Sequence, residues 1–164
     1  MKKRLTKDEI SKIILAFNEK KPELQIWLDN VSSLLKNSPS LNKLEPYTIK
    51  SRVKDEASLR KKIQEKHDIE NRPITPETLF HEIEDLAGIR IVLDYKTLVF
   101  KAVECLEDLE KANKIRIKER TDYIWHPEEV KIVEASGGIV STKESGYCSR
   151  HFILCPPKNF PPMH

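Results

Sequence analysis

The chain has 164 residues, and its 29 lysines and arginines nearly balance 26 aspartates and glutamates, so a net charge of +3 does not by itself indicate a nucleic-acid-binding protein. The length suits one domain with a real core and is short for two. No segment approaches the roughly 18 apolar residues of a membrane span. The N-terminus lacks the apolar region of a signal peptide, and the three cysteines lack metal-ligand spacing. We therefore expect a soluble cytoplasmic protein with reduced thiols and no membrane partner.

Two helices are predicted within residues 6–37. Thr6 followed by Glu9 is typical of a capping box, and apolar residues recur after it at helical spacing. Pro22 is the expected first residue of the second helix, because proline is favoured at the first helical position. We interpret both helices as packing elements and assign residues 1–40 to this N-terminal helical pair.

A cationic strand is predicted over residues 47–54. Polar and apolar side chains alternate along it, which places Arg52 and Lys54 on one face. Basic side chains outnumber acidic ones throughout residues 43–66. A basic region of this kind suits phosphate groups, although a solvated helix face gives the same count.

The helix that follows is expected over residues 56–67, with Asp55 as its cap. Ser58 and Lys62 are four residues apart and share one face of this helix. A strand end, a helix N-terminus and several cations can together hold a polyphosphate. A basic surface helix remains the alternative interpretation.

A short helix over residues 78–86 is predicted to lead into the stretch AGIRIVLDY, residues 87–95, which is typical of a buried strand. Asp85 stands just before this strand and Arg90 lies within it, although buried charges are costly unless they are paired, bound to metal or facing a site. Asp85 suits a magnesium ion, which one or two carboxylates and substrate phosphates usually bind. Arg90 suits stacking on an aromatic base, and an internal Asp85–Arg90 ion pair is an equally good interpretation.

The remaining elements alternate between helix and strand. They are a helix over residues 97–111, a strand over 114–124, a loop or hairpin around Gly137 and Gly138, a strand over 147–155 and an irregular proline-rich tail. The element order indicates an α+β fold with a mixed sheet covered by helices. Since the last strand is followed only by the tail, we expect another strand and helix to come next in a longer protein.

The last strand begins with a third candidate, SGYCSRHF, residues 145–152. Tyr147, Ser149 and His151 share one face of a strand, and a ring beside a hydroxyl and an imidazole suits a nucleotide base with its phosphates. A lone histidine on a strand is more often structural.

Taken in their order along the chain, these motifs resemble the synthetase domain of the RelA/SpoT family. That family has a strand ending in Arg-x-Lys, a helix with a serine and a lysine, and an Asp-(Leu/Ile)-x-Gly-x-Arg-(Ile/Val) strand. A Lys-Asp-Tyr-Ile segment followed by Pro and an Asn-Gly-Tyr-x-Ser-x-His strand come next. The corresponding segments here are 52-RVK-54 with Ser58 and Lys62, 85-DLAGIRIV-92, 122-DYI-124 with Pro127, and 146-GYCSRH-151. The resemblance covers roughly residues 40 to 155.

The resemblance implies a nucleotidyltransferase-like α+β fold, with residues 41–164 as an incomplete synthetase domain within a single structural domain. It implies a GTP pyrophosphokinase of the stringent response, which transfers pyrophosphate from ATP to the 3′-hydroxyl of GDP or GTP and gives AMP and (p)ppGpp. Small synthetases of this family can be tetramers, so a homo-oligomer stays open. A Mg²⁺ cofactor is implied as well.

The resemblance also implies a role for each matched residue on the ATP side. Arg52 and Arg90 would sandwich the adenine, and Asp85 would coordinate magnesium. The phosphates would be held by Lys54, Ser58 and Lys62. We assign the catalytic roles to Asp85, Arg52 and Lys54.

On the acceptor side, the resemblance implies that Tyr147 stacks on the guanine. His151 would lie near the acceptor phosphates together with Lys143, and Ser149 shares its strand face. Phosphoryl-type transfer needs positioning and charge neutralisation more than covalent catalysis, which agrees with these cations and ring platforms.

Three departures from the family pattern leave alternatives open. Ser145 replaces the usual asparagine and Thr121 the usual lysine, and the chain reaches His164 before the family's Glu-x-Gln-x-Arg-Thr strand, whose glutamate helps bind magnesium and activate the hydroxyl. One alternative is a toxin-type member that pyrophosphorylates the 3′ end of tRNA. The other is a catalytically incomplete nucleotide-binding or regulatory domain.

Overall fold

The computed structural model describes residues 5–44, 46–68, 74–95, 97–123, 139–141 and 149–156. They form an α+β protein, which confirms the predicted fold class. The helices are α1 (Lys7–Lys36), α2 (Pro39–Asn42), α3 (Glu56–Asp68), α4 (Leu79–Glu82) and α5 (Leu98–Lys111). The strands are β1 (Tyr47–Val53), β2 (Ala87–Leu93), β3 (Arg116–Tyr123), β4 (Ile139–Ser141) and β5 (Ser149–Cys155). The predicted loop at Gly137 and Gly138, and the proline-rich tail from residue 157, lie outside the described residues.

The chain divides into two compact units. The first comprises Met1–Ser38 and Glu45–Leu93, and the second comprises Pro39–Leu44 and Asp94–His164. The first unit contains α1, β1, α3, α4 and β2, whereas the second contains α2, α5 and the other three strands.

The N-terminal helix begins with the predicted capping box. The backbone N–H of Glu9 donates to Oγ1 of Thr6 at 3.2 Å, and the backbone N–H of Thr6 donates to Oε2 of Glu9 at 2.7 Å. Two otherwise unpaired backbone donors of the first turn are thereby satisfied, which defines where the helix starts.

The predicted pair of N-terminal helices is wrong, because α1 is one helix of 30 residues with Pro22 inside it. An internal proline removes a backbone hydrogen bond and costs about 3 kcal/mol. The apolar stripe nevertheless continues in phase from Phe17 through Leu24 to Leu28, and Pro22 lies on the exposed side. Continuous burial of this stripe therefore outweighs the local penalty at Pro22.

The first unit is built on a hydrophobic core under α1. The buried side of α1 contributes four large side chains, and α3, α4 and the segments around α4 contribute the others. The cluster consists of Ile10, Ile13, Ile14, Phe17, Leu59, Ile63, Ile74, Leu79, Ile83 and Leu86. Helix α1 also packs against β1 and β2, so the two strands are held on one face only.

Strands β1 and β2 pair antiparallel, from Tyr47 opposite Leu93 to Val53 opposite Ala87. Burial alternates along β2, and Val92 is 45% exposed. The expectation of a buried strand is therefore wrong: an antiparallel pair packed on one side leaves its other face open to water.

The predicted helix over residues 78–86 is also too long, because α4 ends at Glu82. Ile83 has an extended backbone, with φ −120° and ψ 96°. The chain must leave the helical path here, because β2 begins at Ala87.

The second unit contains a three-stranded sheet in the order β4-β3-β5. Strand β3 pairs parallel with β4 and antiparallel with β5, so this sheet is mixed. Helix α5 packs on β3 and on α2, with Ala102, Val103, Cys105 and Leu106 buried. Strand β4 was not predicted from the sequence.

Within the described residues, Cys105 and Cys155 are free thiols, as predicted; Cys148 lies outside them. Among the helices of these same residues, none combines the length and apolar character needed to cross a bilayer.

Candidate functional site

The open face of β1 and β2 carries three cations. Lys50 stands directly opposite Arg90, and Arg52 stands opposite Gly88, so the two arginines are diagonal neighbours on one face. All three basic side chains are exposed, and within the described residues neither guanidinium makes a hydrogen bond or an ion pair. Like charges directly opposite each other are unfavourable in a sheet. This face is thus electrostatically suited to an anionic or aromatic ligand.

Gly88 leaves a gap in the same face. A Cβ atom placed on Gly88 would meet nothing within 4 Å. The gap is flanked by Arg52 across the ladder and by Arg90, the next outward-facing residue of β2. Guanidinium groups stack on aromatic faces, and a flat ring has room between these two positions.

At the end of this strand pair, Lys54 and Asp85 form an ion pair. The backbone N–H of Lys54 donates to the carbonyl of Leu86 at 2.8 Å, which extends the ladder by one residue. The ammonium of Lys54, whose residue is 7% exposed, lies 2.7 Å from Oδ2 of Asp85. Because a buried ammonium needs a partner, this pair fixes Lys54. The alternative of an Asp85–Arg90 ion pair is wrong, since Asp85 pairs with Lys54.

The surroundings of Asp85 fit a metal ion that is also held by its substrate. The carboxylate side chain is 63% exposed, and Oδ1 accepts no hydrogen bond from any described residue. No group of three or more His, Cys, Asp or Glu side chains that could hold a metal occurs among the described residues. One available carboxylate is too little for a protein-only site, but it suits Mg²⁺ that also binds phosphate oxygens.

Asp55 caps α3, as predicted. Its Oδ1 accepts the backbone N–H of Ser58 at 2.9 Å, and its Oδ2 accepts the Ser58 hydroxyl at 2.7 Å. These hydrogen bonds, with the backbone one of Ser58 first, lower the pKa of Asp55 below its ordinary value. The Ser58 hydroxyl is therefore engaged in the cap, and it must leave Asp55 before it can donate to a phosphate.

Lys62 lies one turn further along α3. Its ammonium is 4.0 Å from Glu65, and 36% of its side chain is exposed. An ion pair this long and this exposed contributes little. Lys62 therefore has the freedom to turn toward a ligand near the start of the helix.

In the second unit, His151 and Ser149 lie on the same face of β5 as Tyr123 of β3, because Tyr123 pairs with Ser149 and Thr121 pairs with His151. The rings of Tyr123 and His151 meet edge to face, with centroids 4.8 Å apart and planes at 70°. The Ser149 hydroxyl is buried and has no hydrogen-bond partner among the described residues. Tyr147 and Lys143, the other two predicted acceptor residues, lie outside the described residues.

The opposite face of this strand pair holds a buried charge cluster that the sequence analysis missed. Asp122 is fully buried, and its Oδ2 accepts the Nε–H of Arg120 at 2.9 Å. Nε of Arg150 is 3.8 Å from Oδ1 of Asp122, and its guanidinium lies over the ring of Phe100 at 4.2 Å. Glu107 of α5 is 3.9 Å from Arg120. Strand alternation was the available signal, because it places Asp122 on the face opposite Tyr123.

The fold and these clusters define an α+β protein, consistent with a nucleotidyltransferase-like fold. The sequence model of the family described as "Region found in RelA / SpoT proteins" matches residues 51–162. This match covers more than half of the chain, so the protein belongs to the RelA/SpoT family, which confirms the resemblance drawn from its motifs. A search of curated proteins found no match.

The matched segment contains every predicted site residue. The structure brings Lys54 into contact with Asp85 and places Arg52 and Arg90 around the gap at Gly88. Ser58 lies at the start of α3, bonded to its cap. These residues belong to the first unit, whereas Ser149 and His151 belong to the second.

Proposed function

We propose that this chain is a (p)ppGpp synthetase-type domain, which transfers pyrophosphate from ATP to the 3′-hydroxyl of GDP or GTP with Mg²⁺ as cofactor. The observation that carries the proposal is the open cationic face of β1 and β2, which ends in the Lys54–Asp85 pair. In a chain of the RelA/SpoT family, this arrangement has the charge and the open space that a purine nucleoside triphosphate requires.

The base of ATP would occupy the gap over Gly88. Arg52 and Arg90 carry no anionic partner among the described residues, so their guanidinium planes are available for stacking. A ring between them would interact with both planes and would also relieve the repulsion between neighbouring cations.

The phosphates would lie at the end of the strand pair. Lys54 supplies a closely paired ammonium there, and Lys62 supplies a weakly paired one on the next helix. Asp85 and the phosphate oxygens would hold Mg²⁺, which when bound neutralises the charge that develops during transfer. When ATP is bound, the Ser58 hydroxyl would donate its hydrogen bond to a phosphate oxygen instead of to Asp55.

The acceptor would be bound by the remaining predicted residues. His151 is exposed and can approach the phosphates of GDP or GTP. The family resemblance assigns the guanine to Tyr147 and a second phosphate contact to Lys143. Cations and ring platforms of this kind orient the two nucleotides rather than react with them.

The reaction forms a bond between the acceptor 3′-oxygen and the β-phosphorus of ATP. The bond between that phosphorus and the oxygen bridging to the α-phosphate breaks, and the electron pair leaves with AMP. The acceptor hydroxyl gives up its proton, and the family pattern assigns the base to the glutamate of the Glu-x-Gln-x-Arg strand. During this step, the negative charge on the phosphates would be offset by the positive side chains of Lys54, Lys62 and Arg52.

The test is incubation of the full-length protein that contains this chain with γ-labelled ATP, Mg²⁺ and, in parallel reactions, GDP, GTP or tRNA. We expect label on GDP or GTP. The matched variants are Asp85→Asn, which should abolish transfer, and Asp94→Asn, which removes an exposed carboxylate at the other end of β2 and should not.

Other outcomes would overturn the proposal. Label on tRNA alone would identify the toxin-type reaction, and ATP binding without transfer to any acceptor would identify a nucleotide-binding domain. Near-normal transfer by Asp85→Asn would refute the metal role of this carboxylate.

A further inference from the structure

Tyr123 is placed to act on His151 by the pairing of β3 with β5. Tyr123 stands opposite Ser149, and His151 stands opposite Thr121. The rings of Tyr123 and His151 are therefore diagonal neighbours on one sheet face. The observed ring geometry, with centroids 4.8 Å apart at an interplanar angle of 70°, is the edge-to-face arrangement that aromatic pairs prefer.

The other face of the same strands anchors this pair. Asp122 immediately precedes Tyr123, and Arg150 immediately precedes His151. Asp122 and Arg150 stand opposite each other in the ladder, with Nε of Arg150 3.8 Å from the buried carboxylate. Because a shift of one residue would move every side chain to the other face, this buried cluster holds the register on which the Tyr123–His151 contact depends.

His151 itself is exposed, whereas Tyr123 is half-buried. An exposed side chain visits several rotamers unless a neighbour selects one. The half-buried ring of Tyr123 contacts the exposed imidazole edge to face, so it can restrict where the imidazole points.

We propose that Tyr123 is a positioning residue of the acceptor site, which orients the His151 imidazole toward the phosphates of the acceptor nucleotide. This role rests on the proposed function and adds to it Tyr123 of the matched segment 122-DYI-124, to which the resemblance assigned no role. Because the aromatic ring of Tyr123 orients the imidazole, Tyr123→Phe should keep this orientation and Tyr123→Leu should lose it.

The contact is tested by NMR on the full chain with labelled histidine. Wild-type protein should show a nuclear Overhauser effect between the ring protons of Tyr123 and His151. The His151 ring resonances, assigned with His151→Gln, should move in Tyr123→Leu and stay close to wild type in Tyr123→Phe. Because the wild-type measurement needs no variant, the absence of this Overhauser effect refutes the contact even if Tyr123→Leu fails to fold.

The role is tested by steady-state transfer from ATP to GDP. We expect Tyr123→Leu to raise the KM for GDP by about two- to tenfold, the range in which one aromatic pair contributes, with the KM for ATP unchanged. Tyr123→Phe should restore the wild-type value. Tyr95→Leu, which removes a tyrosine that is 68% exposed, is the matched control and should change neither KM.

Each result decides one claim. An unchanged KM for GDP in Tyr123→Leu, or equal losses in the leucine and phenylalanine variants, would refute the positioning role while wild-type transfer upholds the proposed function. Equal increases in the KM for ATP and GDP would indicate a general structural role and overturn the proposal. Absence of transfer in wild type would refute the proposed function and the acceptor role together, and the NMR result would still report the ring contact separately.

Discussion

The two antiparallel strand pairs use arginine in opposite ways. On the β1–β2 pair, Arg52 and Arg90 lie exposed without an anionic partner among the described residues. On the β3–β5 pair, Arg120 and Arg150 are almost fully covered and flank the buried carboxylate of Asp122. An arginine on a strand therefore indicates a ligand site or a structural role only when its burial and its partners are also known. The open arginines suit a ligand, and the covered ones hold two strands together.

The largest effect is expected at the covered cluster. Asp122→Ala leaves two covered guanidinium groups without their carboxylate, and removal of one partner of a buried ion pair costs about 3–5 kcal/mol. Urea denaturation should show this loss in the free energy of unfolding. Asp94→Ala, at an exposed carboxylate, should lose far less. If Asp122→Ala lowered the free energy of unfolding no more than Asp94→Ala, the structural role of the covered arginine cluster would be refuted.

Lys54 is also buried, but in contrast to Asp122 we expect its substitution to lower transfer strongly and stability little. In Lys54→Met the new side chain fills a similar volume, and Asp85, with its side chain 63% exposed, is solvated by water. We expect the free energy of unfolding to stay within about 1 kcal/mol, whereas transfer should fall by at least about 100-fold. A stability loss for Lys54→Met as large as that for Asp122→Ala, or transfer close to the wild-type rate, would contradict the role assigned to Lys54.

Arginine-to-lysine changes sharpen the comparison, because they keep the charge and remove the planar group. Arg90→Lys should weaken ATP binding by about tenfold, measured by calorimetry, without lowering thermal stability. Arg150→Lys loses stacking on Phe100 and should cost about 1–2 kcal/mol of stability, with ATP affinity unchanged. The opposite assignment of these two losses would contradict the separation of roles.

The smallest effect is expected at the exposed cap of α3. The pKa of Asp55 is lowered in the folded protein, so its stabilising contribution is present above its unfolded value, near 3.8, and is lost as the pH falls through the lower folded value. Wild type should therefore be more stable than Asp55→Ala at pH 6, with the difference shrinking below about pH 3.8. Urea denaturation at several pH values measures this, and a difference that grows on acidification would refute the cap's role.

Local sequence patterns predicted much of the site. Alternation placed Arg52 on the exposed face of β1, and the spacing around Thr6 and Asp55 identified both helix caps. Lys54, predicted on the same face, follows the strand and is buried. These features depend on residues close in the chain, whose geometry is set by the regular backbone.

Features that depend on distant partners were missed or wrong. Asp85 had two basic candidates within reach, and only the ladder extension at Lys54 selects between them. The contact of Tyr123 with His151 requires the β3–β5 register, which a single sequence does not specify. Pairing across strands is a tertiary property, so it had no local signal.

The continuity of α1 through Pro22 has a consequence for how this helix opens. Proline has no backbone N–H, so the carbonyl of Asn18 lacks the donor that an ordinary residue at position 22 would provide. We expect α1 to behave in native-state hydrogen exchange as two cooperative segments, with slow exchange around Phe17 and again around Val31, where side chains are buried. A helix that is continuous in its geometry would thus be divided in its local stability.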